Sequence, residues 1–157
     1  MADINTILER VSSAIVADAG IYAFCDAEYG KPLTVYVNCD ARQQPPKSAF
    51  PLVIVLPMGK HGGLGSKQKE HFIGIITGVY DERKTIEDDG VIWFVGGKNV
   101  EILRQLAINA VITTDLPHLK LMDKEDDPEM IEQFPYVSIT TVLEFHETWT
   151  IGSSPFE

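Results

Sequence analysis

Apolar positions recur at steps of three and four through the opening segment "DINTILERVSSAIVAD", residues 3–18. Ile4, Ile7, Leu8, Val11 and Ile15 therefore fall on one face of a helix. Asp3 is a suitable N-cap and Gly20 a suitable stop. The stripe suits a helix lying on a sheet, because the opposite face is too lightly basic for a lipid surface. The period then changes. "KPLTVYVNC" (31–39) alternates Leu33, Val35 and Val37 with Thr34, Tyr36 and Asn38, which reads as a strand. "DARQQPPKSAF" carries Pro45-Pro46 and can continue neither helix nor ladder, so an extended link is expected. "PLVIVLP" (51–57) is a continuous apolar run between prolines, the pattern of a strand buried on both faces. "HFIGIITGVYDE" (71–82) is another apolar strand, with Gly74 and Gly78 marking a bulge or close packing.

"RKTIEDDG" (83–90) reads as a charged turn, and "VIWFV" (91–95) as a further strand or the lead-in to the next helix. Gly96-Gly97 argues for a break there. Val100, Leu103, Leu106, Ala107, Ala110 and Val111 then return to helical spacing, with Asn99 as N-cap of a second helix. Residues 114–135 hold most of the local acidity and are expected to form a solvated connector with at most a short helical turn. Asp123, Glu125, Asp126 and Asp127 there are hard oxygen donors, but the frame of a calcium loop is missing. From Tyr136 to Ile151 one face reads Val137, Ile139, Thr141, Leu143, Phe145, Glu147, Trp149 and Ile151. The other reads Tyr136, Ser138, Thr140, Val142, Glu144, His146, Thr148 and Thr150, so a single long half-buried strand is predicted. Its length suggests that the far end runs beyond the domain's own core, leaving Phe145 and Trp149 exposed unless another subunit covers them.

Composition narrows the class. The 157 residues suit one domain, residues 1–157, with 45% apolar and 23% charged residues, as in soluble globular proteins. No apolar run approaches the roughly 18 residues of a membrane span, and no leader precedes the first helix, so a soluble intracellular protein is expected. A net charge of −10 argues against general nucleic-acid binding, although a local basic face remains open. Cys25 and Cys39 are expected to be free thiols. A zinc site made from them with His61 or His71 would need long, irregular spacings.

The segment "PMGKHGGLGSKQKEHF" (57–72) concentrates glycine and basic side chains between two strands. Such a loop can wrap an anion. The phosphate-binding frames nevertheless fail: Gly59-Lys60 is followed by His61, and Gly63-x-Gly65 is followed at the third position by Gln68. About a dozen residues is long for a hairpin connection, so the segment reads as a basic loop that touches a partner, with Lys60, His61, Lys67 and Lys69 as contact candidates. No nucleophile-elbow frame surrounds Ser66, and His61, His71, His118 and His146 lack a local catalytic signature. Glu144 and His146 share a face that reads as solvated. No catalytic residue, metal site or cofactor is expected, and the chain reads as a non-enzyme. The competing reading is a small-molecule or anion-binding domain that uses the basic loop.

The order of elements resembles the tail terminator, or tail completion, proteins of long-tailed bacteriophages and prophages. "INTILERVSSAIVAD", "PLVIVLP", "HFIGIITGVYDE", "NVEILRQLAINAV" and "YVSITTVLEFHETW" carry the resemblance, which is one of layout and spans nearly the whole chain. It implies an α+β fold, with a mainly antiparallel or mixed sheet of four to five strands and two amphipathic helices on one face. It also implies a homo-oligomeric ring, a hexamer, that caps the tail tube, ends its polymerisation and meets the head connector or neck protein. Such a protein acts in the host cytoplasm during assembly and then in the virion tail, without membrane or specific nucleic-acid partners, while DNA passes through the bore. An acidic balance suits that bore, because like charge discourages sticking. A closed ring needs two different patches on each protomer, for which the end of the last strand, with Phe145 and Trp149, is the candidate. Another neck component of the phage is a related alternative.

Overall fold

The computed structural model describes residues 3–40, 43–61, 68–114, 116, 119–124 and 129–148. The fold is α+β, in the order α1 (Ile4–Ala17), α2 (Ala19–Tyr29), β1 (Thr34–Val37), a 3-10 turn (Lys47–Ala49), β2 (Leu52–His61), β3 (Gln68–Tyr80), β4 (Lys84–Ile86), β5 (Ile92–Phe94), α3 (Val95–Ile112), β6 (Leu119–Lys124), β7 (Glu129–Gln133) and β8 (Tyr136–Thr148). Helix α1 buries Ile7, Leu8, Val11 and Ile15, as the spacing predicts. Asp3 stands at its N-cap without a side-chain capping bond. Gly20 is not the stop. The chain breaks at Asp18, whose carboxylate accepts from the Ile21 N–H at 2.8 Å and starts α2. A side chain at Gly20 would come within 3.1 Å of that carboxylate, so the bare Cα leaves room for the cap. Gly30, in the left-handed conformation at φ 65°, ends the second helix.

The main sheet runs β1-β2-β3-β8-β6, with β7 also paired to β8. β6 pairs with residues 143–147 of β8 and β7 with residues 136–140, so the two short strands share one edge and the sheet has five columns. The β1–β2 pair is parallel and the other neighbours are antiparallel. The connector expected over 114–135 thus contributes two strands, β6 and β7. Without it, the edge of β8 would expose a row of unpaired backbone groups, and backbone pairing outweighs the preference of a charged segment for water. An edge strand keeps one side in solvent and tolerates acidic residues there.

Two further expectations change for the same reason. β2 and β3 stay paired beyond the predicted strands, through Gly59↔Phe72, Lys60↔His71 and His61↔Glu70, so the connection is shorter than a dozen-residue loop. A bulge between Pro57 and Gly59, with Gly59 at φ 155°, keeps the ladder in register. As far as Thr148, β8 stays paired with β3, from Gln68↔Thr148 to Tyr80↔Tyr136, because β3 is equally long; residues 149–151 of the predicted strand lie outside the described residues.

All three helices contribute to one core against one face of the sheet, where Val53, Val55, Ile73, Ile75, Val79, Val137, Ile139, Leu143 and Phe145 point inward. Phe145 is only 1% exposed, which corrects the expectation of an exposed aromatic at the end of β8. On the opposite face, Ala49, Phe50, Leu52 and Ile54 form a smaller cluster with Tyr36, Cys39, Ile76 and Tyr136 around it. β2 is therefore buried on both sides, as its unbroken apolar run predicts. Gly78 permits this second layer: a Cβ there would lie 3.0 Å from the Phe50 ring. Cys25 belongs to the first cluster and Cys39 borders the second, and both thiols are free. Burial pushes the Cys25 thiol up to about 11. No helix among the described residues is long and apolar enough to cross a membrane.

Gly96-Gly97 does not break the chain. α3 begins at Val95 and contains both glycines. A Cβ on Gly96 would stand 3.1 Å from the Asp81 Cβ and 3.4 Å from the Val137 Cγ2, so this glycine lets the helix start directly against the ends of β3 and β8. Asn99, expected as the N-cap, is instead inside the helix and buried.

Candidate assembly surface

Between β3 and α3 the chain leaves the main sheet as a separate two-stranded hairpin, with Lys84↔Phe94, Thr85↔Trp93 and Ile86↔Ile92 as its register. The sequence expectation of a charged turn at 83–90 is met only at its tip. There the Glu87 N–H donates to the Val91 carbonyl at 2.9 Å, and Gly90 takes φ 83°. Every residue of both strands is exposed. Ile86 is 76% exposed, Ile92 53%, Trp93 56% and Phe94 49%, and Phe134, from the β7–β8 turn, joins them at 51%. The Phe94 and Phe134 rings meet edge to face at 5.4 Å, and the Lys84 ammonium lies 5.3 Å and 5.1 Å from their centroids. Ladder alternation puts Ile86, Ile92 and Phe94 on one face of the hairpin and Trp93 on the other; large apolar side chains gathered in water are uncommon on a monomer and are typical of surfaces that bind another molecule.

The root of the hairpin is fixed. The Arg83 guanidinium donates to both Asp81 oxygens, at 2.9 Å and 2.7 Å, and the Arg83 backbone N–H donates to the same carboxylate at 3.0 Å. Tyr29 donates its hydroxyl to Asp81 at 3.0 Å, and the Asn99 amide donates to Tyr29 at 3.2 Å and to Glu28 at 3.1 Å. Arg83 also reaches Glu28 at 3.3 Å. Burial opposes ionisation of Asp81, but the hydrogen bonds from Arg83 and Tyr29 outweigh it and hold the carboxyl below its ordinary range. Bonding to Asp81 correspondingly raises the Arg83 pKa. Burial raises that of Tyr29. α2, α3, β3 and β4 thereby meet in one hydrogen-bonded cluster that holds the hairpin at a defined angle.

Beside it, on the outer face of the sheet, lies a hollow of about 330 Å³ lined by Phe50, Leu52, Ile54, Ile76, Gly78 and Tyr136, with Gln43, Gln44 and Gln133 among its rim residues. Its floor is apolar and its volume is that of a small ligand site. One protomer therefore carries both an apolar projection and a hollow with an apolar floor and a polar rim.

The contact candidates read from the sequence are scattered differently. Lys60, His61 and Lys69 belong to the paired strands β2 and β3. Lys67 and Trp149 lie outside the described residues, as does residue 118. Phe145 is enclosed by the chain's own core. His71, expected as structural or surface, is fully buried and its Nε2 lies 3.2 Å from the Glu147 carboxylate, which is 3% exposed. Among the described residues, the His71 Nδ1 is the buried side-chain atom left without a hydrogen-bond partner. On the opposite face, His146 is within 2.7 Å of Glu144 and 3.9 Å of Glu70. Pattern reading missed Ile86, Trp93, Phe94 and Phe134. The signal available was "VIWFV", an apolar run too short to bury itself, but a run alone does not say whether its side chains face the core or water.

No protein-family model matches the chain, and no curated protein matches it.

Proposed function

We propose that this chain is a structural assembly protein that closes head to tail into a ring, in the manner the tail-terminator resemblance implies. The exposed hairpin carries the reading: its isoleucines, Trp93 and Phe94 stand in water on a root rigid enough to present them to a neighbour. A head-to-tail ring requires two different complementary patches on each copy. The hairpin and the outer-face hollow supply such a pair, with the aromatic and aliphatic knobs of one protomer filling the hollow of the next. In this reading the ring caps a tail tube, stops its growth and offers a surface to the neck. The anion-binding alternative gains no support from the described residues, since the glycine-rich segment 62–67 lies outside them.

Light scattering across a range of concentrations tests the proposal. The expected result is a discrete oligomer, a hexamer, that Ile86→Ser combined with Trp93→Ser converts to monomer while circular dichroism stays unchanged. A protein that remains monomeric at every concentration, with purified tail tube present as well as absent, overturns it.

A further inference from the structure

The outer face carries a second constellation at the opposite end of β3 and β8 from the hairpin. Glu70, Glu144 and His146 each direct one donor atom into a common space, with the three atoms within 4.8 Å of one another. Glu70 and His146 are ladder partners, and Glu144 follows two residues before His146 on the same face of β8. The His146 Nε2 sits between the two carboxylates, at 2.7 Å from Glu144 and 3.9 Å from Glu70. Donors arranged tetrahedrally about 2.1 Å from a zinc ion stand about 3.4 Å apart, a separation that these two distances bracket. Small side-chain rotations would equalise them. The donors also come from the two most extensively paired strands of the sheet, so the backbone is already positioned.

The register adds to the set. His61 is the ladder partner of Glu70 on β2, and Asp123 is the ladder partner of Glu144 on β6. Four strands thus bring two histidines and three carboxylates to two adjoining rows of one sheet, in a protein that has four histidines in all. Lys120, the ladder partner of His146, is the one basic residue in those rows.

We propose that Glu70, Glu144 and His146 bind a first-row divalent cation of the zinc type. Mixed imidazole and carboxylate donors suit zinc or manganese better than calcium, which takes oxygen alone. The cation takes the place of the direct His146–Glu144 contact and ties β3 to β8 at the end of the sheet where β2 leads into β3. Its role is structural, and it stands independently of the assembly reading.

The probe is zinc ion alone, added to full-length protein that has been treated with chelator and returned to buffer. Calorimetry is expected to show one saturable site per chain. Cobalt in its place is expected to give the visible absorption of a four- or five-coordinate nitrogen and oxygen site. His146→Gln and Glu144→Gln should each weaken zinc at least tenfold while retaining the native circular dichroism spectrum. Glu87→Gln, on the distant hairpin, should bind as the unaltered protein does. Absence of saturable binding overturns the proposal, as does zinc affinity unchanged by His146→Gln and Glu144→Gln. If those two variants unfold, the cobalt spectrum of the unaltered protein decides: a six-coordinate, aqua-like spectrum overturns the site.

Discussion

Asp81 shows how one side chain can serve two elements. It accepts three hydrogen bonds from Arg83 and one from Tyr29 while only 4% exposed. The Arg83 side chain is half exposed and can rehydrate when its partner is removed, so the loss is governed by the weakened hydrogen bonds to position 81 more than by the charge pair. Asp81→Asn is expected to lower stability by about 2 kcal/mol, read from the urea midpoint. Because its folded pKa lies below the unfolded value of about 3.9, the carboxylate stabilises the fold fully above that value. That contribution disappears as pH falls through the folded pKa. The unaltered protein should therefore lose stability more steeply than Asp81→Asn below about pH 4. Parallel acid limbs for the two proteins would rule the carboxylate out as the cause.

Helix α3 illustrates a boundary set by packing. Glycine is a poor helix former, and two in succession ordinarily mark a break. Here the helix runs through both, since Gly96 touches the ends of β3 and β8 whereas a Cβ on Gly97 meets nothing within 4 Å. The two positions should respond oppositely to alanine. Gly97→Ala is expected to stabilise by up to about 1 kcal/mol through reduced backbone freedom in the unfolded chain. Gly96→Ala is expected to destabilise despite the same gain, because Asp81 is held by Arg83 and cannot yield to the added methyl. Thermal unfolding of the two variants side by side checks this, and a Tm rise for Gly96→Ala would contradict the packing account.

The ring proposed above would make the hairpin and the hollow the two sides of an association equilibrium. Partners that bind only the folded state raise its apparent stability with concentration. The unaltered protein should show a Tm that climbs as protein concentration rises, and Trp93→Ser should remove that dependence with little change in the Tm at the lowest concentration. Trp93 is exposed in the protomer, so its removal costs the fold little, whereas a buried interface tryptophan commonly contributes 2 kcal/mol or more. A Tm independent of concentration in the unaltered protein would argue against self-association over that range.

Period and alternation alone gave α1, β2, β3, the body of α3 and the inward face of β8, because in each the burial of apolar side chains is strong enough to decide conformation locally. The class of fold was legible from that order of elements. Long-range pairing decided the rest. Residues 119–124 and 129–133 became strands because β8 had an edge to fill, and Phe145 went inward because β3 matches β8 along its length. α2 begins at Asp18 and passes through Gly20 because a carboxylate, invisible to hydrophobic periodicity, caps it. The candidate surfaces were the least legible. The run that holds Trp93 and Phe94 does not say which way they face, and only the hairpin's departure from the sheet exposes them; Glu70 meets His146 only across a ladder that joins residues 76 positions apart. A linear pattern records which side chains avoid water; which atoms finally meet is fixed by the register in which distant strands pair.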